Sequence, residues 1–116
     1  MLMPKAHKYV VPHNKITDYL LSSQHPDGRG KALFFVRTGF AAERWEELAD
    51  ALKGHARTCH YSSTVQSEYG TKYIIDGPMI TPNARSVSIR SIWIVERNDP
   101  LGIPKLITAY PFLEKT

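Results

Sequence analysis

Cysteine is almost absent: Cys59 stands alone among 116 residues. A single thiol forms no internal disulfide, so a secreted, disulfide-stapled scaffold is excluded. No apolar run approaches the roughly 20 positions of a membrane-spanning helix. Met1 to His7 holds no apolar signal-peptide core. A cytoplasmic location without membrane contact is therefore the expectation. Metal templates are missing as well. His7, His13, His25, His55 and His60 match no zinc spacing, and Cys59 and His60 are adjacent, which poorly suits one tetrahedral site. There is no Walker loop, no dinucleotide fingerprint and no deaminase pair of cysteines. No metal and no cofactor are expected. Repeats, linkers and low-complexity segments are also absent.

What is present is an ordinary globular composition, 42% hydrophobic and 22% charged. That suffices for one domain over residues 1–116 with a core of its own. The net charge is +4, and its placement is uneven. Residues 1–37 hold six lysines and arginines against Asp18 and Asp27. This modest basic bias favours an anionic partner.

The densest chemistry lies in His25-Pro26-Asp27-Gly28-Arg29-Gly30-Lys31. Two glycines let a backbone approach an anion closely. A following helix offers free N–H groups and the positive end of its dipole. His25 titrates near neutral pH, and Arg29 and Lys31 are permanent cations.

Periodicity predicts the order of elements. Lys8 to Val11 reads as a short strand ended by Pro12. Asn14 caps a helix over about 15–23, with Ile16, Tyr19 and Leu20 on one face. A second helix spans about Arg29 to Thr38, with Ala32, Phe35 and Val36 inward and Gly39 as its stop. A third spans about Ala42 to His55, with Ala42, Trp45, Leu48, Ala49 and Leu52 as an apolar stripe. Thr58 to Ser67 reads as a strand or edge, and Thr71 to Asp76 as a strand. Gly77-Pro78 and Pro82-Asn83-Ala84 then punctuate a connection. Ser86 to Arg97 is the longest strand, and Lys105 to Tyr110 the last, closed by Pro111. Helices first and antiparallel strands second predict an α+β domain with its helices on one sheet face. Trp93 and its alternate neighbours face the helices. Arg90 then shares the other side with Ile92 and Ile94, which is partly covered or shifted by a bulge.

The segments Ile16 to Leu21, His25 to Phe35, Gly39-Phe40, Tyr69 to Tyr73, Gly77-Pro78, Arg90 to Ile94 and Leu106 to Pro111 carry a resemblance. Together they resemble a family of small bacterial domains without a settled activity. Similar modules stand alone or close phage head-morphogenesis and polymorphic-toxin-like proteins. The likeness covers about 14–111. The element order and the closing Thr108-Ala109-Tyr110-Pro111 also resemble the barnase, EndoU, colicin and RelE group of metal-independent ribonucleases. That likeness implies a helical half packed on a four- or five-stranded antiparallel sheet.

It also implies a reaction in which the 2′-OH attacks the neighbouring phosphate. Such a reaction needs a base, an acid and donors for the developing charge. The residues matched to it are His25 and Lys31 from the loop, Arg90 from the long strand, and Thr108 and Tyr110 from the last strand. Arg29, Tyr69, Lys72 and Tyr73 are the expected nucleic-acid contacts, the tyrosines by stacking. RNA and an acidic antitoxin or immunity protein are the implied partners. Structural alternatives stay open: His25 as a helix cap, Arg90 paired with Glu68 or Asp76, Tyr110 in the core, and Tyr69 and Tyr73 in sheet packing. A non-catalytic binding or immunity-type module of the same fold is the second reading.

Overall fold

One of two eleven-residue strands organises the molecule. Between Ser86 and Glu96 every second side chain is buried: Ile89, Ser91 and Trp93 vanish from solvent, while Arg90, Ile92 and Ile94 stay partly exposed. A period of two with one apolar set requires a sheet covered on one face. The computed structural model describes residues 8–17, 21, 29–83 and 86–112, with the backbone alone for 29–31. Its elements are α1 (His13–Lys15), α2 (Arg29–Arg37), a 3-10 turn (Ala42–Arg44) and α3 (Trp45–Thr58), followed by β1 (Tyr61–Ser67), β2 (Gly70–Ile80), β3 (Ser86–Glu96) and β4 (Lys105–Pro111). The four strands lie in the order β1-β2-β3-β4, each antiparallel to its neighbour. The predicted α+β architecture is the observed one.

Two helices cover the sheet. Leu48, Ala49, Leu52, His55 and Ala56 recur at helical spacing along α3 and are all buried. They meet Ile75 of β2 and Ile89 and Trp93 of β3 in one core, which Phe35 of α2 and Ile16 also join. Each fully buried leucine or isoleucine contributes about 1.5–3 kcal/mol through its lost apolar surface. α2 ends as its sequence predicts. Gly39 has φ +106°, which glycine adopts without steric cost. The Gly39 N–H bonds the Val36 carbonyl at 3.0 Å, and the Phe40 N–H bonds the Phe35 carbonyl at 3.1 Å. This is the paired hydrogen bonding of a Schellman stop, and the Phe35 and Phe40 rings meet edge-on at 6.2 Å.

Several sequence expectations are corrected. The 8–11 strand is reduced to a single parallel bridge, Val10 to Lys105. α1 starts at His13 with Pro12 at its N-cap and no side-chain cap, so Asn14 lies inside the helix. Most of the helix expected over 15–23 lies outside the described residues. Val36 is 52% exposed because Phe34 takes the partly buried place beside Phe35. Ala42 is exposed as well, since a 3-10 turn precedes α3 and rotates it out of the stripe.

Gly77-Pro78 does not end β2 but lies within it. Strand β1 pairs with β2 only as far as Ile75, so the missing Pro78 N–H takes nothing from that ladder. The bulge falls on β4, where Ile92 pairs with Thr108 and Trp93 with Leu106, leaving Ile107 as the extra residue. Among the described residues, no helix is long and apolar enough to cross a membrane.

Candidate functional site

The face of the sheet turned away from the helices carries the polar chemistry. Side chains of directly paired residues share a face. Asp76 pairs with Arg90, and Arg90 with Tyr110. Ile74 pairs with Ile92, and Ile92 with Thr108. These residues and Lys72, opposite Ile94, share this face, which is open among the described residues.

The centre of that face is a two-pronged ion pair. Arg90 Nε–H donates to Asp76 Oδ1 at 2.7 Å, and Nη2–H donates to Oδ2 at 2.9 Å. Bidentate geometry fixes the plane of the guanidinium as well as its position. The Ser62 hydroxyl donates to Asp76 Oδ2 at 3.0 Å. Ser62 reaches it from an irregularity in the β1–β2 ladder between Tyr61 and Ser63. The Phe112 ring lies against the guanidinium, 4.3 Å from its carbon. The Arg90 side chain keeps 29% of its surface exposed and Asp76 keeps 15%.

Hydrogen bonding from Arg90, with Ser62 adding to it, holds the Asp76 carboxyl below its usual range against a desolvation that would raise it. The same contact with Asp76, helped by Tyr110, drives the Arg90 pKa up. Asp76, Gly77, Pro78, Ser88 and Phe112 enclose a small hollow of about 170 Å³ beside the pair.

Of the residues singled out from sequence, the structure puts Arg90, Tyr110 and Thr108 side by side and Lys72 on the same face, opposite Ile94 and four positions along the strand from Arg90. Tyr73 is on the other side, paired with Trp93 and packed edge-on against Tyr61 at 5.3 Å. Tyr69 is 70% exposed at the β1–β2 turn, away from the ion pair. That turn is fixed by the Arg97 N–H on the Tyr69 carbonyl and Arg97 Nη2 on the Ser67 carbonyl. Arg29 and Lys31 open α2, which packs on β4 through the covered face. Their side chains, and all of His25, lie outside what the structure describes.

Sequence reasoning named Asp76 only as a structural alternative and missed Ser62 and Phe112. The legible signal was the period-two match of Asp76 to Arg90 across a hairpin. The irregularity that brings Ser62 to Asp76 left no such signal.

A second polar cluster lies behind the first, on the covered face. His55 is 2% exposed. Its Nε2 is 3.1 Å from the Gly77 carbonyl, which only accepts, so Nε2 carries the proton. Nδ1 then accepts from the Ser91 hydroxyl at 2.9 Å. Ser91 Oγ in turn accepts from Trp93 Nε1–H at 2.8 Å. Burial pushes the His55 pKa below its ordinary 6.5, against smaller opposing effects from hydrogen bonds and from Asp76. The ring is therefore neutral at neutral pH. Cys59 is buried next to it, its Sγ 3.8 Å from the Pro78 carbonyl. Among the described residues, no three His, Cys, Asp or Glu side chains gather as a metal site would require.

A family model described as a domain of unknown function, DUF6883, matches residues 2–113. No curated protein matches the chain. A solved chain from a complex described as a contact-dependent growth inhibition toxin and immunity protein of Klebsiella pneumoniae 342 is similar in fold. The TM-score is 0.73 at 22% identity, over 92% of this chain and 96% of that one.

Proposed function

We propose, for a chain that belongs to the DUF6883 family, a role as the toxin-type domain of a toxin–immunity system, acting on RNA through the open sheet face. The observation that carries this reading is the Arg90 guanidinium. It is held in one plane by Asp76, partly exposed, and flanked by Tyr110 and Thr108 on the uncovered face. The fold shared with a chain of a toxin–immunity complex supports the toxin-system link.

In this reading Arg90 binds a phosphate oxygen through the N–H groups that Asp76 and Tyr110 leave over. Tyr110, which also bonds the guanidinium, and Thr108 exchange present contacts for hydrogen bonds to the same phosphate. Lys72 adds charge along the backbone of the bound strand. Asp76 is committed to Arg90 and held ionised at neutral pH, so it positions the guanidinium and serves poorly as the base. The base or acid falls to His25, with Lys31 as a second phosphate contact. A base of this kind contributes about 10²–10⁴-fold in rate. The partner expected to neutralise such a domain is an acidic immunity protein.

A second reading has its own observation: two guanidinium donors are already spent on Asp76, as in a structural ion pair. It makes the chain a non-catalytic binding or immunity-type module of the same fold.

The deciding experiment incubates the purified chain with total RNA and with tRNA, with and without chelator, beside Arg90→Ala and His25→Ala. Cleavage that resists chelator and disappears in both variants supports the toxin reading. Intact RNA after incubation with folded wild-type protein leaves the binding module.

A further inference from the structure

We propose that His55 is a positioning residue for the Asp76–Arg90 pair, and that protonating it from the covered face loosens Arg90 on the open face. This rests on the reading of the open face as the working site and adds a control to it.

The two clusters are adjacent along both strands. Gly77, whose carbonyl accepts from His55 Nε2, directly follows Asp76. Ser91, whose hydroxyl meets His55 Nδ1, directly follows Arg90. Asp76 and Arg90 are themselves a cross-strand pair, flanked by Ile75 with Ser91 and Gly77 with Ile89. Successive side chains point to opposite faces. One imidazole on the covered face therefore ties β2 to β3 immediately behind the ion pair on the other.

The approach of α3 is specific to this place. A Cβ on Gly77 would lie 2.6 Å from Cys59 Sγ and 3.9 Å from His55 Nε2. Glycine at 77 is what admits the last turns of the helix against the strand. Position 55 continues the buried stripe of Leu48 and Leu52, where an aliphatic side chain would satisfy the core. An imidazole there makes two hydrogen bonds that no aliphatic residue makes.

Protonation undoes this arrangement. Nδ1 becomes a donor, and Ser91 Oγ, already receiving Trp93 Nε1–H, must turn its own proton away. The new charge sits in a buried site, where backbone hydrogen bonds at Gly77 and Ile89 and the Asp76 charge favour it less than desolvation opposes it. From β3 the covered-face side chains Ile89, Ser91 and Trp93 are uncharged, and Arg90 faces away. From its own helix the near titratable group is the Cys59 thiol. From β2 the charge acting on the ring is Asp76. A protonated His55 attracts the carboxylate that holds Arg90, while its burial favours lifting α3 off Gly77. Both effects weaken the grip on the guanidinium. The neutral ring at neutral pH is the locked state.

The test follows the Arg90 Nε–H and His55 ring signals of the full chain by NMR from about pH 8 to about pH 5, the range of histidine titration. The expected result is a shift of Arg90 Nε–H whose midpoint coincides with that of His55. Its protection from solvent exchange should fall by about tenfold, the equivalent of one pKa unit of coupling. His55→Gln keeps an amide donor for Gly77 and does not titrate, so its Arg90 signal should stay constant over the range.

An Arg90 signal that ignores the His55 titration overturns the proposal, as does one that still shifts in folded His55→Gln. If that variant fails to fold, the wild-type titration decides. No RNA is needed. Coupled titration without RNA cleavage therefore overturns only the proposed function, and cleavage with a pH-indifferent Arg90 overturns only this inference.

Discussion

Replacing Ser91 by alanine removes one oxygen from the middle of the covered face. That oxygen is fully buried, accepts from Trp93 Nε1–H at 2.8 Å and meets His55 Nδ1 at 2.9 Å. The substitution strands two polar atoms at once, since Trp93 is 0% and His55 2% exposed. Leaving one buried donor or acceptor unpaired costs about 1–3 kcal/mol. Two of them cost about 3 kcal/mol together, with the weaker demand of the imidazole lone pair allowed for.

A domain of this size loses about 4 °C in Tm per kcal/mol, so the melting point should fall by about 12 °C. Thermal and urea unfolding followed by circular dichroism measures it. Ser88→Ala removes an exposed hydroxyl from the same strand and should stay within about 0.5 kcal/mol of wild type. Repeating Ser91→Ala in a Trp93→Phe background, where no indole N–H remains, should recover at least about 1 kcal/mol of the loss. A Ser91→Ala midpoint no different from that of Ser88→Ala would refute the account of this network.

Two further outcomes are expected. Stability should fall with acid in two separate windows. Below pH 6.5 the unfolded chain protonates His55 while the folded chain resists, so stability present above 6.5 is lost as pH falls toward the lowered folded pKa. The Asp76 contribution is intact above 3.8, its ordinary value, and disappears below that as the carboxyl takes its proton. Urea midpoints across pH should show the first loss in wild type and lack it in His55→Gln.

Two glycines should respond with opposite signs. At Gly54 an added Cβ meets nothing within 4 Å, so Gly54→Ala should stabilise α3 by about 1 kcal/mol in the same assay. At Gly70, with φ +149°, a Cβ would run into the Val95 carbonyl and lie 2.9 Å from the Glu96 Cα. Gly70→Ala should cost about 1–3 kcal/mol.

How far the sequence was legible depended on the range of the force concerned. The α3 stripe, the Gly39 stop and the β3 alternation follow from local periodicity and from the backbone freedom of one glycine, and the structure has them where expected, save for Ala42, which the 3-10 turn takes out of the stripe. β2 was read too short because Gly77 and Pro78 are turn residues by composition. They continue the strand because β1 ends beside Ile75, so that no β1 residue faces the proline, while β3 still pairs with it, and because α3 needs a position without a Cβ. The candidate site was half visible. Arg90, Thr108 and Tyr110 share a face by counting residues in twos. Asp76 was one of two carboxylates named as its partner, and only the hairpin register chose between Asp76 and Glu68. His55 was read as the last residue of an amphipathic helix, with nothing nearby in sequence to say what its two nitrogens would meet.

The chain alone therefore determined the alternation of β3, the buried stripe of α3 and the order of helices before strands, because each arises from residues a few positions apart. The tertiary structure decided which groups meet across the sheet: Arg90 and Ser62 on Asp76 from one face, and His55 on Gly77 and Ser91 from the other. Those contacts join residues 14 to 36 positions apart. Only the strand register and the approach of α3 bring them within hydrogen-bonding distance.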